Sequence, residues 1–192
     1  MLKLSQKNNT LTCRKNQPSE NPEVEAFQFD DDGSIPNNPS LQLLFYKGVL
    51  TGAAKGAEPD FAQHFERQGW QGIWRWSVYG FHHYHSNAHE VLGVVRGNAT
   101  IRFGGERGQS VQVNPGDMVV IPAGVGHRNE ESSRGFSVIG AYPGGQDPDL
   151  CRESAGEIGR AARNIAAVPL PESDPLYGEQ GPLVDLWRAG DS

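Results

Sequence analysis

A chain of 192 residues, 36% of them hydrophobic, can bury one sizeable core but not a second independent one. The net charge of −6, with 17 Lys and Arg spread without a dense run, argues against nucleic acid as a partner, because phosphate binding needs a clustered basic footprint. No apolar stretch approaches the length of a membrane-spanning helix, so no membrane partner is expected. Met1 to Asn9 are polar and do not read as a secretory signal. Cys13 and Cys151 lie far apart and make neither a disulfide framework nor a cysteine zinc site. A reduced, cytoplasmic setting is the expectation.

The elements follow in chain order. Residues 1–24, rich in Lys, Asn, Gln, Ser, Glu and Pro, read as a flexible or loosely docked extension, with one domain over 25–192. Phe27 and Phe29 alternate with polar neighbours, a strand signal, before the Asp30-Asp31-Asp32-Gly33 turn. Leu41 to Leu50 is a second apolar segment. Residues 58–70 suggest a helix, with Phe61 and Phe65 on one face and Gly69 closing it. From Trp74 to Tyr142 the pattern is a run of short strands. Turns fall at Arg96-Gly97-Asn98, Gly104-Gly105-Glu106, Asn114-Pro115-Gly116-Asp117 and Pro122-Ala123-Gly124. Between two of them Ala99, Ile101 and Phe103 alternate with Thr100 and Arg102. Evenly spaced strands of this kind predict an all-β barrel or sandwich. Beyond Pro143, over 153–192, Ser154-x-x-Glu157 matches a capping box and Ile158, Ala161, Ala162 and Ile165 form a helix face ended by Pro169 and Pro171. The tail residues Leu183, Val184, Leu186 and Trp187 are apolar enough to dock on the barrel.

Five of the six histidines fall in two places. His82, His83, His85 and His89 cluster beside Glu90, and His127 stands 37 residues further on. Residues two apart on a strand share a face, so His83 and His85 present two imidazoles to one ion while His82 and Tyr84 point away. Glu90 could return a carboxylate from the next strand, and one more imidazole would complete a three-nitrogen, one-oxygen set. Such a set suits Fe, Mn, Ni, Zn, Co or Cu and not Ca or Mg, which prefer oxygen shells.

His83-Tyr84-His85, Glu90 and Gly97 fit the first motif of the cupins, H-x-H-x(3,4)-E-x(6)-G. Gly116, Pro122, Gly124 and His127 fit the second, G-x(5)-P-x-G-x(2)-H. Two positions depart: Ser77 stands for the leading Gly of the first motif and Glu131 for the Asn that often ends the second. The chain therefore resembles the cupin superfamily. Asp31 to Asn38, Phe81 to His85 and Gly140-Ala141-Tyr142-Pro143 further resemble the YjlB-type group of bacterial cupins. The resemblance implies a single jelly-roll barrel (a double-stranded β-helix) with short flanking helices and its core at about 74–142. It implies His83, His85, Glu90 and His127 as ligands of one divalent transition-metal ion per chain. It also implies a homodimer.

Strand parity puts Tyr79 and Phe81 on the face of His83 and His85, and turns Ala99, Ile101 and Phe103 inward. Arg75, Phe81, Ile101 and Phe103 are thus candidates to line a substrate pocket, with Arg75 available to an anionic group. Tyr79, Tyr84 and His82 are candidates to move a proton. His82 and His89 could support the ligands or meet a subunit contact, and His89 is a rival to Glu90. Four protein ligands leave open positions on an octahedral ion, which suits a metal-dependent oxygenase, isomerase or lyase acting on a small molecule. A non-catalytic small-molecule-binding or sensing role is the alternative, and a stapling ion a third.

Overall fold

Several strands in this chain are apolar at consecutive positions, and the fold explains why. The computed structural model describes residues 16–52, 56–144, 146–153, 156 and 158–189. Among these the order is β1 (Glu23–Phe27), β2 (Leu43–Lys47), α1 (Phe61–Arg67), β3 (Trp70–Trp76), β4 (His83–Tyr84), β5 (Glu90–Arg96), β6 (Ala99–Phe103), β7 (Gln109–Val113), β8 (Met118–Ile121), β9 (His127–Ser132), β10 (Ser137–Pro143), β11 (Cys151–Arg152), α2 (Ile158–Ala167) and α3 (Pro182–Arg188). The strands form two antiparallel sheets, β1-β2-β8-β5-β10-β3 and β11-β4-β9-β6-β7. This is an all-β jelly-roll sandwich with a few short helices on its flanks.

Leu43, Phe45, Leu92, Val94, Ile101, Phe103, Val119 and Ile121 meet between the sheets. Leu44, Tyr46, Val91 and Val120 face the other way, under Phe61 and Phe65 of α1 and Leu183 and Trp187 of α3. Both faces of β2 and β5 are therefore covered, which is why neither strand alternates with polar residues. Gly93 lets α1 approach, since a Cβ there would lie 2.3 Å from the Phe61 ring. Truncating Phe61 would leave a cavity costing about 3–5 kcal/mol. Parity on β5 then decides the site: Glu90 shares its face with the inward Leu92 and Val94.

The early helix is shorter than its expected 58–70. Asp60 caps it by accepting a hydrogen bond from the Gln63 amide at 3.2 Å. Gly69, at φ +78, ends the turn. Trp70 already belongs to β3, where it is buried and donates to the Ser173 carbonyl at 3.1 Å. The strand run thus opens at Trp70, not Trp74, and β1 and β2 extend the same sheet. Phe29 lies outside β1 but stacks on Phe27.

Residues 1–15 lie outside the described part, as do Ser154 and Glu157 of the expected capping box. Within the expected extension, residues 16–22 are tied down. The Ser19 amide donates to the Val49 carbonyl at 2.8 Å, and Pro18 bridges Leu50. The tail does dock: Leu183, Val184 and Trp187 are buried, but Leu186 faces solvent on the outer side of α3. No helix among the described residues is long and apolar enough to cross a membrane.

Candidate metal centre

The inner cluster begins with one strand pairing. His83 of β4 lies opposite His127 of β9, and the two ring centroids are 4.1 Å apart. His85 follows two residues on, with its ring 5.9 Å from His83 and 6.0 Å from His127. One ring nitrogen from each of the three lies within 4.8 Å of the others. Glu90 enters from β5 in the opposing sheet. Its Oε2 sits 3.2 Å from His127 Nε2 and 3.5 Å from His85 Nε2. Sequence-distant residues thus converge because the sandwich brings the ends of β4, β5 and β9 together.

The tautomers follow from the outer contacts. His83 Nδ1 meets the Phe81 carbonyl at 3.2 Å, His127 Nδ1 meets the Val125 carbonyl at 3.2 Å, and His85 Nδ1 meets the Asp149 carbonyl. A carbonyl only accepts, so each Nδ1 carries a proton. In a neutral ring each Nε2 then keeps its lone pair, aimed inward. Glu90, 3% exposed, presents to these lone pairs a carboxylate oxygen with no hydrogen-bond partner among the described residues. A buried carboxylate ringed by acceptors is costly without a positive charge.

The titration behaviour points the same way. Burial would raise the Glu90 pKa, but the His85 charge and the close approach of His127 outweigh it and hold the carboxyl below its usual range. Burial would lower His85, yet Glu90 outweighs it and raises His85 instead. His83, desolvated and beside His127, is pushed down to about 3. The cluster holds one positive charge beside Glu90, as a proton on imidazole or as a cation. Three neutral imidazole nitrogens and one carboxylate fit a divalent transition ion.

Above the cluster lies a cavity of about 290 Å³. Trp74, Val78, Tyr79, Leu92, Tyr142 and Leu150 form its walls, with His83, His85, Glu90 and His127 at its floor. No Lys or Arg lines it among the described residues. Tyr142, to which the sequence reading assigned no role, accepts a hydrogen bond from Trp74 Nε1 at 2.9 Å. Burial, then the Glu90 charge, raises its pKa, so its hydroxyl stays protonated beside the carboxylate. The signal for it was Gly140-Ala141-Tyr142-Pro143. In the register of β10 on β5, Gly140 pairs with Leu92 and Ala141 with Val91, so Tyr142 falls next to Glu90.

Of the candidate proton-moving groups, only Tyr79 reaches the cavity. Tyr84 is buried with Ile35, Ala123, Ala161 and Ile165 beneath α2. His82 lies on the opposite face, 3.5 Å from Glu106 Oε1. Arg75 is on the exposed side of β3, where it pairs with Glu58 at 2.8 Å and donates to Ser137 Oγ at 3.1 Å. Phe81 stacks on Tyr79 at 4.8 Å and carries Arg152 over its ring at 4.0 Å, behind the cavity wall. Ile101 and Phe103 are core between the sheets. His89 Nδ1 accepts from the Ala123 amide at 3.0 Å and its ring packs on Trp187, away from the other histidines.

A buttress sets the approach to His127. Gly124, at φ +90, leaves room for the Asn37 carbonyl, which a Cβ would meet at 2.6 Å. Asn38 Nδ2 donates to the Ala123 carbonyl at 3.0 Å, and Asn37 Oδ1 accepts from the Gly126 amide at 3.2 Å. The Asp31–Asn38 segment therefore holds the turn that launches β9.

The chain is 43% identical over 167 residues to the uncharacterized protein YjlB of Bacillus subtilis (strain 168), covering 86% of this chain and 97% of that protein. The family model "Cupin domain" matches residues 78–135. This chain belongs to the cupins, in the YjlB-type group. Among solved structures, the cupin is similar to procruciferin, an 11S globulin from Brassica napus, at 15% identity and a TM-score of 0.34, over 78% of this chain and 36% of that one. It is also similar to a cupin 2 domain-containing protein from Halorhodospira halophila, at 15% identity and a TM-score of 0.32, over 76% and 79% of the two chains.

Proposed function

We propose that this cupin is a metal-dependent enzyme acting on a small molecule, with His83, His85, Glu90 and His127 as ligands of one divalent transition-metal ion. The observation that carries this reading is the buried Glu90 Oε2, which faces inward-turned histidine nitrogens and has no hydrogen-bond donor among the described residues. A bound ion of this class supplies Lewis-acid chemistry or, if redox-active, oxygenase chemistry at the positions its protein ligands leave open. The surrounding residues do the rest. Val78, Leu92 and Leu150 exclude water, and Trp74 and Tyr79 offer ring faces to an apolar or aromatic substrate. Tyr142 keeps its hydroxyl proton beside Glu90. With no Arg or Lys on the walls among the described residues, an anionic substrate group would bind at the centre itself.

A non-catalytic small-molecule-binding role is favoured by one feature. Among the described residues, the lining apart from the four ligands offers only Tyr79, Tyr142 and Asp149 as titratable groups, and the Asp149 carboxylate is turned away to Ser86. In either case the protein works in the cytoplasm as a homodimer. The free edge of β3 and Trp76, 70% exposed, are the surface that pairing would cover.

The test is elemental analysis of untagged protein beside the His83→Ala/His127→Ala double variant. The expected result is about one transition-metal ion per chain in the cavity of the native protein, lost in the variant. Native protein that takes up no ion there on reconstitution would sink the reading. Turnover by the loaded protein separates the enzyme from the binding module, and light scattering reads the dimer.

A further inference from the structure

A second cluster lies on the other side of the same histidine segment. His82 precedes β4, Glu106 sits in the turn between β6 and β7, and Glu153 follows β11. One ring nitrogen of His82 and one carboxylate oxygen from each glutamate lie within 4.8 Å of one another. The His82 side chain is only 1% exposed, and among the described residues neither of its ring nitrogens has a hydrogen-bond partner. A buried imidazole normally satisfies at least one nitrogen, so this ring lacks something. Its Nε2 faces Glu106 Oε1 at 3.5 Å, too long for a good hydrogen bond. Two ligands at zinc–nitrogen and zinc–oxygen lengths on one tetrahedral ion would lie about 3.4 Å apart.

We infer that His82, Glu106 and Glu153 form a second divalent-cation site of the zinc class, on the outer surface of the five-stranded sheet and separate from the interior centre. Among the described residues, the charged groups that act on His82 are Arg128, Glu153, Glu106 and Asp32. Arg128 approaches from β9 and donates to Glu106 Oε1 at 2.6 Å, leaving that oxygen a second lone pair. Arg128 is shared with Glu130, at 3.6 Å. Asp32 also faces His82, but its carboxylate already accepts from Ser34, Ile35 and the Glu106 amide, so it fixes the turn and is not a ligand. Two glutamates against one arginine leave a net negative site for a divalent ion. The exposed glutamates leave room for water to complete the shell. An ion here would tie together the start of β4, the β6–β7 turn and the chain after β11.

The probe is Zn²⁺ alone, with Co²⁺ as its spectroscopic substitute, on the full untagged chain at saturating free metal. Native protein is expected to hold two ions. His82→Gln and Glu153→Gln are each expected to hold one, and His83→Ala/His127→Ala to keep one. Glu153 is exposed, so Glu153→Gln leaves the fold unchanged even where His82→Gln does not. Second-ion affinity is expected to fall at least ~10-fold in Glu153→Gln, with loss of part of the Co²⁺ visible absorption. A second ion held equally by both single variants, or no second ion in the native protein, overturns the site. One ion abolished by His82→Gln and kept by His83→Ala/His127→Ala would leave this site standing and remove the interior one.

Discussion

Two carboxylates of this cupin are equally buried and oppositely surrounded. Asp174, fully buried, accepts from the Tyr46 hydroxyl at 2.6 Å and from the amides of Leu176, Tyr177 and Leu183 at 2.9, 3.1 and 3.1 Å. Glu90, at 3% exposure, faces the Nε2 atoms of His85 and His127 and has no hydrogen-bond partner at Oε2. The first group is closed by protein donors and ties the C-terminal region to β2. The second is left open toward a cavity. Burial is common to both, so the donor count around each acid separates a structural anchor from the ligand proposed above.

The largest expected effect breaks the anchor. Asp174→Ala leaves the Tyr46 hydroxyl and three amides without an acceptor and loosens α3. A loss of about 3–5 kcal/mol follows from breaking so buried a charged network. For a domain of this size that is a fall in Tm of roughly 6–20 °C, read by calorimetry, and it is the same with and without metal. A shift that depends on added metal would mean that the two regions are coupled.

Glu90→Gln inverts that pattern. In metal-free protein the change is expected to stay within about 1 kcal/mol, because His85 sheds its proton once the carboxylate is gone. The metal-induced rise in stability should shrink by about 2.7 kcal/mol, which corresponds to a ~100-fold loss of affinity. Isothermal titration with Zn²⁺ and paired melting curves check both halves. An unchanged metal affinity would remove Glu90 from the ligand set.

Tyr46→Phe is the milder cut at the anchor. Three amide donors still hold Asp174, so about 1–2 kcal/mol is expected in denaturant unfolding. A cost equal to that of Asp174→Ala would show that the hydroxyl alone closes the network.

The contrast between the carboxylates was only half visible in the chain. His83-x-His85 and Glu90 declare themselves by spacing, since a strand turns alternate residues to one face. Ala99, Ile101 and Phe103 declare the core in the same way and are buried. Tyr142 did not, because its place beside Glu90 depends on the register of β10 against β5, a pairing across some fifty residues that no local pattern encodes. Asp174 was equally silent. It lies in an irregular stretch, and its four donors come from β2 and the C-terminal segment. Trp70 was misassigned to the helix boundary because the Gly69 turn is too short to separate α1 from β3.

Arg75 carries the smallest expected effect. Parity offered it to the pocket, but its guanidinium lies on the solvent side of β3 against Glu58, with side chains 48% and 40% exposed. An exposed pair of this kind contributes about 0.2–1 kcal/mol and weakens with salt. Arg75→Ala should therefore lower Tm by no more than a few degrees, less at high ionic strength. Metal stoichiometry and the affinity of any small acid bound in the cavity should not move. Among the described residues the cavity walls lack a cation, so an acid is expected to meet the floor formed by His83, His85, Glu90 and His127. A loss of acid binding in Arg75→Ala would mean that β3 shifts to bring the guanidinium round its edge, and that the open carboxylate is not the only charged group a ligand meets.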